Sequence, residues 1–464
     1  MKKSHLVVIG NGMAGMRTLE ELLKIAPDLY HITVFGAEPY VNYNRILLSP
    51  VLAGEQSFEE IVLNDAAWYA EHHITLHLGA EITIIDRRQR TVRTRAGVTV
   101  HYDRLLLATG SKPFMLPIPG AHLRGVIPYR DIDDTQQMIT RAASAGQAVV
   151  IGGGLLGLEA ANGLKARGMS VTVVHLMETL MERQLDATAG GLLQRALEQR
   201  GVAFVVGAST AAILGDENQQ VTGVQLADGR VLPAALVVMA IGIRPNTALA
   251  ETAGLHCARG IVVNDTLQTY DPRIYAVGEC VNHRGIAYGL VAPLFEMARV
   301  AANHLAEFGT QRYGGSVTAT KLKVTGIDLF SAGDFIGDES TDAIVLSDPA
   351  NGVYKKLVLK DDRLVGSVLY GDTAEGSWYF KLMREGRSVA EIRDRLMFGE
   401  RNLGDAGHLG QNQAAAMSDE MEVCGCNGVS KGQICQDRGC AVLRESRDRG
   451  GSAGIYGGFP AALS

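Results

Sequence analysis

Short apolar runs that end in glycine, each followed by a stretch with helical spacing, recur along this 464-residue chain and set its outline. Leu6 to Ile9 is one such run; it breaks at Gly10-Asn11-Gly12, and an amphipathic pattern follows from Met16 to Ile25. Apolar runs bounded by turn residues predict strands, whereas recurrence at i, i+3 and i+4 predicts a helix. A second strand is expected at His31 to Phe35. Leu105-Leu106-Leu107, ahead of Ala108-Thr109-Gly110, reads as a buried parallel strand whose carboxyl end meets ligand. The scheme then repeats: a strand at Ala148 to Ile151, a glycine turn, a helix through about Arg167 and a strand at Val171 to Val174. Further runs lie at Leu236 to Ala240, Ile261 to Asn264 and Ile274 to Cys280. Beyond residue 320 the period changes. Thr320 to Val324, Tyr354 to Leu359 and Leu364 to Tyr370 alternate, which predicts half-buried antiparallel strands in a small α+β domain. Residues 400–420, rich in Gly, Asn, Gln and Ala without periodicity, read as a linker.

Strands alternating with helices predict an α/β fold with two Rossmann-like dinucleotide-binding domains. Gly10, Gly12 and Gly15, and again Gly152, Gly154 and Gly157, fall at G-x-G-x-x-G spacing between a strand and a helix. In that motif the first glycine permits the tight turn, the second lets backbone amides approach a pyrophosphate, and the third lets helix and strand pack closely. The helix N-terminus presents unpaired N–H groups to the anion, so the amides of Leu155 and Leu156 belong to the second cradle. Glu38, beyond the second strand, is placed to bond a ribose diol; the matching position after Val174 is His175. Without a carboxylate to repel a 2′-phosphate, and with no arginine following at once, discrimination between NADH and NADPH is expected to be weak. Ala108, Thr109, Gly110, Gly242, Gly278 and Glu279 stand at strand ends and complete the candidate cofactor contacts. The first dinucleotide-binding domain is assigned to residues 1–113 and 250–312, with the second, 114–249, inserted. Residues 318–398 form the α+β domain, 399–420 the linker, and 421–464 an incomplete terminal domain.

Composition narrows the classes. Glycine makes up 54 of 464 residues, well above the usual ~7%, without collagen period; these glycines read as turns and close approaches. A net charge of −6 with no basic stripe argues against a nucleic-acid partner. Lys2 and Lys3 imitate a secretory leader, but Gly10, Asn11 and Gly12 break the apolar run at once. No apolar stretch is long enough for a membrane span. The six cysteines do not form a secreted disulfide framework, so a cytoplasmic setting is expected. His72, His73 and His77 lack the companions that would complete a metal site.

The segments VVIGNGMAG, ATG, VVIGGGLLGLEAA, GIRPN and IYAVGEC resemble the two-dinucleotide flavoprotein reductases over residues 1 to about 310. The resemblance implies FAD at the first turn and NADH or NADPH at the second. It also implies a carboxylate beside the nicotinamide, Glu159, as the catalytic-site residue, positioning rather than transferring protons. Asn42 to Ser49 resembles the Y-D/N-R-x-x-L-S segment of ferredoxin-, rubredoxin- and nitrite-reductase-type flavoproteins, in which Arg45 would approach FAD oxygens. Where rubredoxin-reductase-like relatives often carry lysine after the serine, this chain has Pro50.

Val423 to Gly432, with Cys424 and Cys426, resembles the opening of the small 2Fe–2S domain in the large subunit of NAD(P)H-dependent nitrite reductases. The C-x-x-C pair that completes the four thiolates in that family is absent: Cys435 and Cys440 are too close and wrongly spaced. A truncated or frameshifted end without an assembled cluster is expected. The family continues into a sirohaem and 4Fe–4S region, so this chain is expected to be the electron-input half of an assimilatory nitrite reductase. Its partner would be that iron–sulfur and sirohaem part or a small electron-carrier protein, and a homodimer is compatible with it. Disulfide exchange would need a thiolate beside the flavin; residues 40–50 contain no cysteine, and Cys280 reads as packing. The remaining alternatives are a rubredoxin- or ferredoxin-reductase-like enzyme and a catalytically idle docking scaffold.

Overall fold

The computed structural model describes residues 3–144, 146–322, 324, 326–400, 419, 422–424 and 429–432. They divide into two compact units, Met1–Leu322 and Lys323–Ser464. Along the first unit run β1 (Ser4–Ile9), α1 (Met13–Ile25), β2 (Tyr30–Phe35), α2 (Leu48–Ala53), β3 (Thr75–His77), β4 (Arg104–Leu107) and β5 (Ser111–Pro113). There follow β6 (Val126–Pro128), α3 (Ile132–Ala142), β7 (Gln147–Ile151), α4 (Leu155–Ala166), β8 (Ser170–Val174) and β9 (Val202–Val205). The unit finishes with β10 (Leu236–Met239), β11 (Ile243–Pro245), β12 (Ile274–Ala276) and α5 (Val291–Leu305).

Two parallel sheets organise it, in the orders β12-β4-β1-β2-β3 and β6-β10-β7-β8-β9. Leu6, Val7 and Val8 in the first and Val149, Val150 and Val238 in the second are fully buried, because helices leave a parallel strand no solvent face. Helix α1 packs against α5, so the first sheet closes with a helix from the far end of the unit. Between the sheets the chain crosses twice, and the crossings pair antiparallel as β5 and β11, Pro113 opposite Ile243.

Two three-stranded antiparallel sheets, over residues 82–101 and 210–233, carry no clear alternation in sequence. The strand Val221–Leu226 contains Gly223, whose added Cβ would stand 2.9 Å from the Leu232 carbonyl oxygen. Close strand approach, not side-chain periodicity, shaped that sequence. The strand expected to run from Ile274 to Cys280 stops at Ala276, since Gly278 adopts φ +91°.

In the second unit, the strands Leu329–Gly333, Asp342–Asp348, Val353–Lys360 and Arg363–Tyr370 pair antiparallel, with the helix Gly376–Glu385 packed on them. Asp361 and Asp362, both at positive φ, turn the chain between Lys360 and Arg363 as a two-residue hairpin requires. Of the run expected from Thr320 to Val324, which straddles the boundary of the two units, Thr320 and Lys321 lie in the strand Ala319–Lys321, Leu322 and Val324 do not, and Lys323 lies outside the described residues. Cys424 ends the short strand Glu422–Cys424; Cys426, Cys435, Cys440 and most of residues 401–464 lie outside the described residues.

Candidate functional site

Both glycine turns stand at the carboxyl ends of central strands, and their three glycines divide into two kinds. An added Cβ at Gly10 would stand 2.1 Å from the Ala108 carbonyl oxygen, and one at Gly152 would stand 2.4 Å from that of Ala240; φ is +111° and +120°. At Gly15 and Gly157 a Cβ would meet the carbonyl oxygens of Gly10 and Gly152 at 2.9 and 1.9 Å. These four positions are glycine because the protein's own backbone is in the way. Gly12 and Gly154 differ. Both have extended backbone that any residue adopts, and no atom lies within 4 Å of the added Cβ. Each is the N-cap of its helix, without a side-chain cap and without an acidic residue in the first turn. Nothing in the protein requires glycine there, whereas a phosphate drawn onto the free amides would.

Around the first turn, charged groups line the carboxyl edge of the sheet. Glu38, beyond β2, accepts hydrogen bonds from Arg45 Nη2 at 2.6 Å and Tyr43 Oη at 2.7 Å. Arg45 also donates to the Arg130 carbonyl at 2.8 Å. The Arg130 guanidinium pairs with Glu279, beyond β12, and Ser111 Oγ donates to the same carboxylate at 2.8 Å. Glu38, Arg45 and Glu279, named from sequence, thus join one network through Arg130, which sequence reasoning missed. Arg130 lies 85 residues from Arg45 and 149 from Glu279, in a connection with no motif of its own. Thr109 Oγ1 donates to the Asn246 carbonyl at 2.7 Å, and Asn246 Nδ2 donates back to the Thr109 carbonyl at 3.3 Å. Gly110 and Gly242 are at positive φ with open space where a side chain would stand, and Gly278 comes close to Ala14. Asn42 Nδ2 reaches the carbonyl of Asn11 inside the turn, while its buried Oδ1 has no protein partner. The uncapped helix N-terminus suits a pyrophosphate, and the orphaned Asn42 oxygen suits a donor such as a hydroxyl, of a dinucleotide such as FAD.

The second turn is differently furnished. His175 does follow β8, but its ring is folded beneath the turn: Gly153 N–H donates to Nδ1 at 3.0 Å, and Nε2 lies 3.1 Å from Glu182 Oε2. Both ring nitrogens are thus engaged by protein, one by the turn itself and one by a carboxylate. Leu176 and Met177 come next and are exposed. Leu155 and Leu156 open α4. Glu159 is buried in α4 and accepts a hydrogen bond from Ser49 Oγ at 2.5 Å. Ser49 in turn accepts one from Tyr129 Oη at 3.1 Å. Neither partner was singled out beforehand.

Cys280 is fully buried, its Sγ 3.2 Å from the Val277 carbonyl oxygen, and burial pushes its thiol up. Burial also raises Cys257, to about 11. Neither is a resting thiolate at neutral pH. The three histidines of the 72–77 region take separate neighbours: His72 bonds the Trp68 carbonyl, His73 sits at positive φ, and His77 stacks on Phe35. Among the described residues no three His, Cys, Asp or Glu side chains cluster as metal ligands. No helix among them is long and apolar enough to cross a membrane.

Two uncapped glycine turns on two parallel sheets of one compact unit define an oxidoreductase of the flavin and pyridine-nucleotide class. The chain belongs to the pyridine nucleotide-disulphide oxidoreductase family, which residues 4–304 match, and it is an FAD-dependent NAD(P)H oxidoreductase. Residues 319–387 match the rubredoxin NAD+ reductase C-terminal domain. Over 461 residues, 99% of this chain, it is 49% identical to the nitrite reductase (NAD(P)H) of Bacillus subtilis strain 168 and covers 56% of that protein. An assimilatory nitrate reductase electron transfer subunit of the same organism is 44% identical over 94% of this chain and 55% of its own length. The chain therefore spans about half the length of these relatives. Among solved structures, the covalent putidaredoxin reductase–putidaredoxin complex is 27% identical with a TM-score of 0.77, covering 89% of this chain and 98% of that one.

Proposed function

We propose that the chain is the electron-input module of assimilatory nitrite reduction, binding FAD at Gly10-Gly12-Gly15 and NADH or NADPH at Gly152-Gly154-Gly157. Electrons then leave for an iron–sulfur and sirohaem acceptor, in the cytoplasm, where the reduced nucleotide is supplied. FAD suits this post because it accepts a hydride, two electrons at once, and releases electrons singly. The single observation that carries the reading is the pair of open glycines, Gly12 and Gly154, over uncapped helix N-termini. Their division of labour is supported by Glu38, Arg45, Thr109, Arg130 and Glu279, which surround the first turn. Similarity to nitrite reductase and an electron transfer subunit over nearly the whole chain supports the destination of the electrons. Glu159, in the first half of α4, is the carboxylate that orients the nicotinamide ring. The 2Fe–2S cluster is not part of this reading, since no C-x-x-C pair follows Cys424 and Cys426 in this sequence to complete four thiolates.

The test is direct. Purified chain loaded with FAD should oxidise NADH or NADPH with ferricyanide as acceptor, and ammonium from nitrite should appear only once the sirohaem-bearing part is added. Failure of NAD(P)H to bleach the flavin anaerobically would overturn the proposal. A second reading, delivery to a separate carrier, is favoured by the match of residues 319–387 to the rubredoxin reductase domain. It predicts that added rubredoxin or ferredoxin accelerates cytochrome c reduction in proportion to carrier concentration.

A further inference from the structure

Helices α2 and α4, one from each half of the first unit, are locked together by a stripe of three residues on α4. Glu159, Gly163 and Arg167 fall at i, i+4 and i+8, on one face. Glu159 takes the Ser49 hydroxyl. At Gly163 an added Cβ would stand 2.7 Å from Leu52 Cγ, so the glycine is the notch that lets α2 lie close. Arg167, the C-cap of α4, donates to the Val51 carbonyl at 3.0 Å and to that of Leu52, supplying donors to the end of α2. Pro50, within α2, fixes φ beside Ser49.

The polar members of this seam form a chain with one direction. Tyr129 Oη donates to Ser49 Oγ, which donates to Glu159 Oε2, and all three residues are at least nine-tenths buried. Burial pushes the Tyr129 phenol far above its ordinary value, so it is a donor at neutral pH. With the tyrosine donating, the serine's own proton is committed to the carboxylate. We propose that Ser49 and Tyr129 are positioning residues for flavin reduction: Ser49, from the flavin half and itself oriented by Tyr129, aims the Glu159 carboxylate at the nicotinamide. The inference rests on the reading that the second turn binds that nucleotide with Glu159 beside its ring. The same short segment carries Arg45 into the Glu38–Arg130–Glu279 network, so one piece of chain indexes both cofactors.

The experiment is anaerobic stopped-flow reduction of the FAD-loaded protein by NADH and by 4-deuterated NADH, for wild type, Ser49→Ala, Ser49→Thr, Tyr129→Phe and Glu159→Gln. Ser49→Ala is expected to slow the limiting reduction rate about tenfold, the scale of one hydrogen bond to a charged group. The dissociation constant for NADH and the FAD content should stay near wild type, and the deuterium effect should grow as hydride transfer becomes rate-limiting. Tyr129→Phe should lie between Ser49→Ala and wild type. Ser49→Thr, which keeps the hydroxyl, should recover most of the rate. If Glu159→Gln is slow while Ser49→Ala and Tyr129→Phe match wild type, the positioning role is wrong and the placement of Glu159 survives. If Glu159→Gln itself reduces and binds as wild type, that placement fails and takes the proposal with it. Should Ser49→Ala shed FAD, Tyr129→Phe, which deletes one hydroxyl and keeps the ring, decides alone.

Discussion

Gly12→Val and Gly154→Val apply the same chemical change to two positions where the protein leaves room for it. Neither should alter the fold, so any loss reports on a ligand. Gly12→Val is expected to abolish FAD retention, read as the flavin absorbance of the purified protein. Gly154→Val should leave the flavin in place and raise the apparent KM for NADH; the reverse pattern would exchange the two sites. His175 carries a different expectation. Because its ring holds Gly153 N–H and faces Glu182, His175→Ala should weaken both nucleotides alike by freeing the turn, and change the ratio of their kcat/KM values less than about twofold, well under the tenfold of one lost charge contact. At this scale the sequence shows what motifs fix: Glu38 and Arg45 stand at recognisable offsets from a glycine turn and an Asn-Tyr-Asn-Arg segment. Arg130 and Tyr129 are invisible because their roles arise from tertiary contacts between residues remote in sequence, and Ser49, although it closes the Asn42 to Ser49 segment, shows nothing there of its bond to Glu159.

Helix α3 opens with three carboxylates: Asp131 at the N-cap, then Asp133 and Asp134 in the first turn. Burial, reinforced by the Asp131 charge, pushes Asp134 from 3.8 up to about 7. A carboxyl whose pKa rises on folding contributes stability below its unfolded value that is lost as pH rises through its folded one. Here that window runs from 3.8 to about 7. Asp134→Asn should therefore gain stability relative to wild type as pH rises through it, by about 1–3 kcal/mol at its upper end, read from denaturant unfolding of the two proteins. On α4, Gly163→Ala drives a methyl group into Leu52 and should cost about 1–3 kcal/mol, with slower flavin reduction because α2 is displaced. The parallel strands were legible because burial on both faces leaves an apolar run ending in glycine. The antiparallel strands of residues 82–101 and 210–233 were not: they are short, partly exposed and interrupted by residues such as Gly223, so neither period survives in them.

At the scale of the molecule, the expected behaviour is that of half a pathway. The FAD-loaded chain should pass electrons from NADH or NADPH to ferricyanide and form no ammonium from nitrite by itself, as a colorimetric ammonium assay would show. The repeat of strand, glycine turn and helix made the presence of two nucleotide sites readable, because each unit is local in sequence. How the two sites address one another was not readable, since that depends on α2 meeting α4 across the join. The join has one more property. The two crossings between the halves lie side by side as β5 and β11, Pro113 opposite Ile243, so everything from Phe114 to Gly242 begins and ends within about 5 Å, one cross-strand spacing. In genetic terms that stretch is a cassette. It can lengthen, shorten or be exchanged for one of different nucleotide preference without stretching the host sheet, provided the newcomer still offers a notch for Leu52, a donor for Glu279 and a tyrosine for Ser49.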